Sequence, residues 1–474
     1  MSNSVSLVGV YNGPISNYTG IGIRIGQVEP GVPATNHLFL GGQVAFTTNI
    51  HTGTSGIVDA HATQVAGVLV STDTVFRGIA PGAKLYSAGH QGYATDLDLA
   101  QSVFLLATNF NTRVMNQSFS LPGTQGNATG TSVWERAIDR LVSQTTNIFV
   151  QTPGNIPGVN NLRIPAGSYN AIVVGAVSNI TGTTAVTDFS PSGPLADGRS
   201  KPDIVAPGAP VVVPTFPVGP DGTNRTVNSG TSFAAPLVAG TAARLLQVGT
   251  TTFTGSTRDN SQDPRVIKAT LMNSATKLAG WNGNVTYPGG VHTTTQPLDP
   301  AQGAGMLNAP AAYNNYAAGE FNPGNVAPTG WDLHAVSFGL TNLYRVTPPV
   351  AGEIRLTLTW YRNVGPGPTF SVTSYNDLDL LLWRSDDPGF STRTLVARSI
   401  STVNNVEHLY LTNAPFGYYE FGVHFKARVT GTDASEFYGI AWNLSAVPEP
   451  SILLLLTSST AIVLWWRRCR LKSR

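Results

Sequence analysis

The chain has 474 residues, more than one hydrophobic core usually serves, so two domains are expected and small disulfide-held scaffolds are excluded. Only 11% of the residues are charged and the formal net charge is +2, which leaves no basic field to hold a nucleic acid; a hydrophobic content of 41% excludes a wholly disordered chain. The single cysteine, Cys469, lies in the C-terminal tail, so thiol catalysis, cysteine-based zinc sites and internal disulfides are excluded from the body of the protein.

From residue 20 to about 280, short β-branched runs alternate with helix-like segments. Strands are expected at 21–28, 83–88, 113–116, 147–151 and 171–177, and helices near 60–70, 96–107, 132–143, 232–247 and 264–274. This alternation predicts an α/β fold with a mainly parallel sheet flanked by helices, in which catalytic loops sit at the carboxyl ends of strands. The segment 249–262 is polar and turn-rich, and 281–330 is dense in Gly, Pro, Asn and Thr, a composition that marks a transition between domains. After Trp331 strands follow one another without helices, at 353–360, 377–383, 407–411 and 418–425, which predicts a smaller all-β sandwich. The expected plan is an α/β domain over 1–315, a linker over 316–331, a β-sandwich over 332–446 and a separate C-terminal segment over 447–474.

Three short stretches carry chemistry. Gly230-Thr231-Ser232-Phe233-Ala234-Ala235-Pro236 leads into a small-residue helix, placing Ser232 where unpaired N–H groups and the helix dipole favour negative charge. Ser232 there is either a nucleophile or a helix cap. His61 lies in His61-Ala62-Thr63-Gln64-Val65-Ala66-Gly67, the start of a tightly packed helix that has little use for an imidazole; it is either a base or a hydrogen-bonded structural histidine. Asn155 follows a strand through Thr152-Pro153-Gly154, and its amide either donates to a developing oxyanion or simply forms the turn.

Taken together, these segments resemble the subtilisin-like serine proteases, the subtilases, in motif and in order. Supporting matches are Gly78-Ile79-Ala80-Pro81-Gly82-Ala83, Val114-Met115-Asn116-Gln117-Ser118, Lys201-Pro202-Asp203-Ile204-Val205-Ala206-Pro207-Gly208 and Gly303-Ala304-Gly305-Met306-Leu307-Asn308. The resemblance spans residues 17 to about 315. It implies that Ser232 is the nucleophile, that His61 is the general base, and that Asn155 with the Ser232 amide holds the oxyanion. It also implies a polypeptide substrate lying against Ser118, Phe119 and Ser120 beside Gly154, and chemistry that requires no cofactor. The motifs depart from the family at Ala62, Gln64, Thr152, Pro153 and Ser120, which bears on the shape of the pocket next to the scissile bond. The alternative is a catalytically impaired member serving adhesion or matrix structure at a cell surface.

The acid of the triad is the largest departure. The stretch 20–28 looks like the family's first catalytic strand, but Glu29-Pro30-Gly31 follows where an aspartate is usual. Only Glu29 and Asp59 precede His61 as carboxylates. Asp59 is two residues from His61 at a helix start, so the two side chains point apart and Asp59 is better used as a cap. Glu29 is therefore the expected triad acid.

Residues 332–446 resemble the C-terminal β-sandwich of some larger subtilases. Asp377 and Asp379, two apart on a strand, share one face; they suit a structural calcium ion or form a solvated edge pair, and the second reading is preferred.

The chain closes on Val447-Pro448-Glu449-Pro450-Ser451, an apolar run over 452–466, and five basic residues in the last eight. The run is expected as a short membrane helix with the basic tail on the cytoplasmic side. Pro-Glu-Pro, hydrophobic helix and arginine cluster together resemble the PEP-CTERM sorting signal. That resemblance implies export to the bacterial surface, anchoring of the precursor in the membrane, and processing by an exosortase. Residues 1–20 show neither a basic n-region nor an apolar h-region, so a signal peptide with a pro-segment is expected upstream of Met1.

Overall fold

The computed structural model describes residues 8–50, 56–90, 95–121, 127–178 and 183–446. The first region is built on the strands β1 (Arg24–Glu29), β2 (Val44–Asn49), β3 (Lys84–Gly89), β4 (Val114–Gln117), β5 (Ile148–Gln151), β6 (Ile172–Ser178), β7 (Ala185–Val186) and β8 (Ile204–Ala209). They follow the order β2-β3-β1-β4-β5-β6-β7, with β8 also beside β6. Every pairing is parallel except that of β6 with β7. A separate antiparallel ribbon joins β9 (Val211–Pro214) to β10 (Arg225–Asn228).

Helix starts follow from local side-chain chemistry. The carboxylate of Asp59 caps α1 (Ala60–Val70) by accepting the Ala62 amide at 2.8 Å. Reciprocal capping boxes open α2 (Asp96–Asn109) with Thr95 and Asp98, and α3 (Val133–Thr145) with Ser132 and Glu135. α4 (Thr231–Thr252) is buried on every side from Thr231 to Gly249, as expected of a helix whose sequence is small and apolar all round. It is followed by α5 (Gly255–Ser261), α6 (Pro264–Asn273) and α7 (Ala309–Ala317).

Three boundaries differ from the sequence reading. β1 begins at Arg24 instead of residue 21, because Gly20 and Gly22 both take φ near 81° and Ile23 closes a turn onto the Gly20 carbonyl at 3.0 Å. Such left-handed backbone cannot continue a strand. The polar segment 249–262 holds the end of α4 and all of α5. Residues 316–331, expected as a linker, contain the strand β12 (Gly324–Val326) and the start of β13 (Thr329–Ser337), recruited by pairing with distant strands.

The second region is predominantly antiparallel. Together with β11 (His292–Thr294), its strands β14 (Thr341–Trp360), β15 (Asn363–Val364), β16 (Val372–Ser385), β17 (Thr394–Ser399), β18 (Val406–Thr430) and β19 (Ser435–Ala446) form a nine-stranded sheet with β12 and β13. β14 and β18 pair over two stretches, 341–346 with 419–424 and 354–359 with 406–411, separated by register shifts between Val346 and Ile354. Asp377 is only 5% exposed, so it is not half of a solvated edge pair. Burial pushes the carboxyls of Asp377 and Asp379 up to about 6; the Asp379 charge raises Asp377 further, and Lys426 opposes the rise in both. Among the described residues no group of three or more His, Cys, Asp or Glu side chains is placed to hold a metal ion, and no helix is long and apolar enough to cross a membrane. The run 452–466 and the Pro-Glu-Pro motif lie outside the described residues.

The two regions share a broad interface. α6 packs against β14 and β19, and Trp331, Val406 and Ala441 belong to the same hydrophobic core as α4. Polar ties accompany this packing. Arg362 donates through Nε to Asp139 at 2.8 Å and also through Nη2, while Asp139 accepts the Asn170 amide at 2.8 Å. Asp139 is fully buried, so Asp139→Ala would strand the Arg362 guanidinium without a counterion. We expect a loss of about 3 kcal/mol, read from urea unfolding. The exposed Arg258–Asp259 pair serves as the control, with under about 1 kcal/mol expected from its removal.

Candidate active site

The carboxyl ends of β1, β4 and β5 and the start of α4 converge on one open cleft of about 240 Å³. It is lined by Pro30, His61, Ser118, Phe119, Ser120, Thr152, Gly154, Asn155 and Ser232. Every residue that the motifs single out for chemistry or substrate contact therefore borders this cleft, except Glu29, which lies behind His61.

Glu29 is the last residue of β1 and is fully buried. Its Oε2 accepts His61 Nδ1–H at 3.0 Å, and its Oε1 accepts the Ser118 amide at 2.8 Å. The backbone behind it is tightly fitted: a β-carbon on Gly31 would lie 2.5 Å from Asp59 Cβ and 2.6 Å from the Ile57 carbonyl. Glycine at position 31 thus lets the chain pass close against 57–59 directly after the acid.

Burial pushes the Glu29 carboxyl up, and the His61 ring and the Ser118 amide oppose that rise. For His61, burial disfavours the imidazolium, but the adjacent Glu29 carboxylate outweighs it and lifts the imidazole above its ordinary value. With Nδ1–H committed to Glu29, Nε2 is the nitrogen left to take a proton.

Ser232 is 7% exposed in the first turn of α4, just past its cap residue Gly230. Its hydroxyl donates to the Ser118 carbonyl at 2.9 Å. Ser118 consequently touches both the acid and the hydroxyl through its own peptide groups, and its amide is not free to pair with a substrate. That double use was invisible to motif reading because it is made by backbone atoms.

Asn155 is exposed at the cleft, and its Oδ1 accepts the Thr231 amide at 2.9 Å. With the oxygen so anchored, Nδ2 is the donor turned to other partners. Thr231 adds its hydroxyl, 2.8 Å from Asn155 Oδ1 and 2.9 Å from the Gly154 carbonyl, and also contacts the Thr152 hydroxyl. Thr231 was part of the nucleophile motif, yet its task of fixing Asn155 needed the structure to appear. Gln64, where the family's motif usually has a second histidine, accepts from Asn228 at 3.0 Å and takes no part in the cleft. Phe119 stacks against Trp134 and meets His90 at a tilt, with ring centroids 5.4 and 4.3 Å away.

The arrangement offers a buried carboxylate, an imidazole oriented by it, a hydroxyl at a helix start, and an amide donor held beside that hydroxyl. Those groups meet the requirements of nucleophilic acyl transfer.

A model of the Subtilase family matches residues 43–305. Alkaline elastase YaB from Bacillus sp. (strain YaB) is 28% identical over 300 residues, covering 62% of this chain and 65% of that protein. Subtilisin Savinase from Lederbergia lenta is 26% identical over 299 residues, covering 62% of this chain and 91% of that protein. Fervidolysin from Fervidobacterium pennivorans is 30% identical over 263 residues, which is 48% of this chain and 35% of that longer protein. The crystal structure of fervidolysin superposes with a TM-score of 0.50 at 20% identity, covering 86% of this chain and 61% of that one, a likeness of fold. This chain thus spans 65% of alkaline elastase YaB and 35% of fervidolysin.

Proposed function

The chain belongs to the subtilase family, and from that premise we propose that it is a serine endopeptidase working through Glu29, His61 and Ser232. The observation that carries this reading is the buried Glu29 carboxylate bonded to His61 Nδ1 at the rim of the cleft that holds Ser232. An extended peptide lies along Ser118, Phe119 and Ser120, with Gly154 on the opposite wall. Its N–H groups compete for the Ser118 carbonyl, and the Ser232 hydroxyl turns to His61 Nε2. His61 takes the hydroxyl proton as Oγ bonds to the substrate carbonyl carbon. The resulting oxyanion accepts from Asn155 Nδ2 and the Ser232 amide. Glu29 stabilises the imidazolium, which then protonates the leaving amine. Water cleaves the acyl-enzyme by the same proton path in reverse.

Labelling with a fluorophosphonate, followed by mapping of the modified residue, tests the assignment: Ser232 is expected to carry the adduct. Labelling elsewhere refutes it, and no labelling favours the catalytically impaired surface protein. Asn155→Ala is expected to lower kcat by about 10²- to 10³-fold with little change in KM, because its amide bonds the transition state more strongly than the ground state.

The wider reading rests on sequence alone. We take 1–315 as the catalytic domain and 332–446 as a β-sandwich. We take 447–474 as a PEP-CTERM-type signal that anchors an exported precursor in the membrane until an exosortase removes it. Mass spectrometry of surface protein tests the last point, since Arg474 retained on mature protein excludes such processing.

A further inference from the structure

Behind the Gly154 wall of the cleft lies a charge that the catalytic groups do not use. Ser120 stands on one wall and Gly154 on the other, and a β-carbon on Gly154 would lie 3.2 Å from Ser120 Oγ and 3.3 Å from Arg163 Cγ. The aliphatic stem of Arg163 therefore lies directly against the segment next to Asn155. Its backbone is tied there as well, with the Arg163 amide donating to the Pro153 carbonyl at 3.0 Å. At the far end Nη1 donates to Asn127 Oδ1 at 2.8 Å, so the half-buried guanidinium is held in place by a neutral group.

Among the described residues the guanidinium has no counterion. Its Nε is buried without a hydrogen-bond partner, and no carboxylate lies within salt-bridge distance among the described residues. The sequence excludes one nearby along the chain, since neither 117–134 nor 152–187 contains Asp or Glu. A guanidinium fixed by a neutral amide, with a buried donor unspent, is preorganised for an incoming anion.

We propose that Arg163 is a specificity-determining residue that selects a carboxylate side chain, above all glutamate, at the substrate position whose carbonyl Ser232 attacks. This rests on the peptidase reading. An extended substrate lying along 118–120 directs the side chain before the scissile bond between the 118–120 and 152–155 walls. The groups that line these two walls are hydroxyls, amides, glycine and the Phe119 ring, none of which supplies a positive charge, and Arg163 stands directly behind Gly154. Glutamine has the same length and shape as glutamate but no charge, so the ratio between the two isolates the contribution of Arg163.

The test measures kcat/KM on fluorogenic peptides differing only at that position, with Glu, Gln, Ala, Leu and Lys, together with fluorophosphonate labelling of the same full-length sample. Glu is expected to exceed Gln by roughly tenfold to a hundredfold at low salt, the range of one charge-assisted hydrogen bond, and the ratio should shrink at high salt. Arg163→Gln should bring the ratio near one, and Arg163→Glu should shift preference towards Lys. If Ser232 is labelled and peptides are cleaved but Glu is no better than Gln, the subsite assignment is overturned while the peptidase reading stands. If no peptide is cleaved and Ser232 stays unlabelled, the peptidase reading fails and this inference with it. A variant that does not fold leaves the decision to the native Glu:Gln ratio and its salt dependence.

Discussion

Ser232→Ala is expected to lower kcat by about 10⁶-fold, the scale of loss that removing the serine causes in subtilisin, and to abolish fluorophosphonate labelling. The folded state should survive. Ser232 contributes one hydrogen bond, from its hydroxyl to the Ser118 carbonyl, and that carbonyl borders an open cleft where water can replace the donor. Stability should therefore change by no more than about 1 kcal/mol, measured by thermal unfolding alongside the circular dichroism spectrum. Turnover near that of the native protein, with labelling at another serine, would place the nucleophile elsewhere.

Glu29→Gln is expected to reduce kcat by about 10⁴-fold, as the corresponding acid-to-amide change does in a chymotrypsin-type protease. The isosteric amide keeps the volume and still accepts the Ser118 amide, but it removes the negative charge that favours His61 as imidazolium. The pH profile provides a second readout. His61 must be neutral to accept the Ser232 proton, so activity rises as pH climbs through the raised value that Glu29 confers on the imidazole. Without the carboxylate, burial of the ring is opposed only by the smaller effect of Asp59 and lowers that value, so the acidic limb of kcat/KM should move to lower pH while its plateau falls. Glu29→Asp asks about geometry instead of charge. Glu29 already reaches His61 at 3.0 Å, so an aspartate, one methylene shorter, should leave a lengthened bond to His61 and retain partial activity. A limb unmoved in Glu29→Gln would mean that Glu29 does not set the protonation of His61.

Much of this site was legible in the chain because it is written in local motifs. Ser232, His61 and Asn155 each sit in a short stretch whose small residues are demanded by close packing, and Glu29 emerged by elimination because Asp59 was the only other carboxylate before His61. The alternation of strands and helices likewise predicted the parallel sheet, and Asp59 caps α1 as its position suggests. What escaped depended on contacts far apart in sequence or made by the backbone. The double engagement of Ser118 links positions 89 and 114 residues apart, and the bracing of Asn155 by Thr231 links positions 76 residues apart. α5, with the sequence GSTRDNS, has no apolar period to announce it, and its helical state comes from its place between α4 and α6. α7 did carry a cap and an early proline in Asn308 and Pro310, but both were masked by the surrounding density of turn formers. β12 and β13 lie in similar composition and became strands through their long-range partners.

The shared core of the two regions also fixes where this chain can be divided. A cut at the composition change near residue 331 looks natural on paper, since helices stop and strands begin there. Yet Trp331 lies within the catalytic half's hydrophobic cluster, Val406 and Ala441 reach it from the β region, and α6 has β14 and β19 against one side. A fragment ending there would present that side of α6 to water and leave the Asp139 carboxylate without Arg362. The catalytic half is thus a lodger in a joint building: recombinant work on its chemistry has to carry the chain through β19, and domain shuffling between relatives has to exchange α6 together with the strands it leans on.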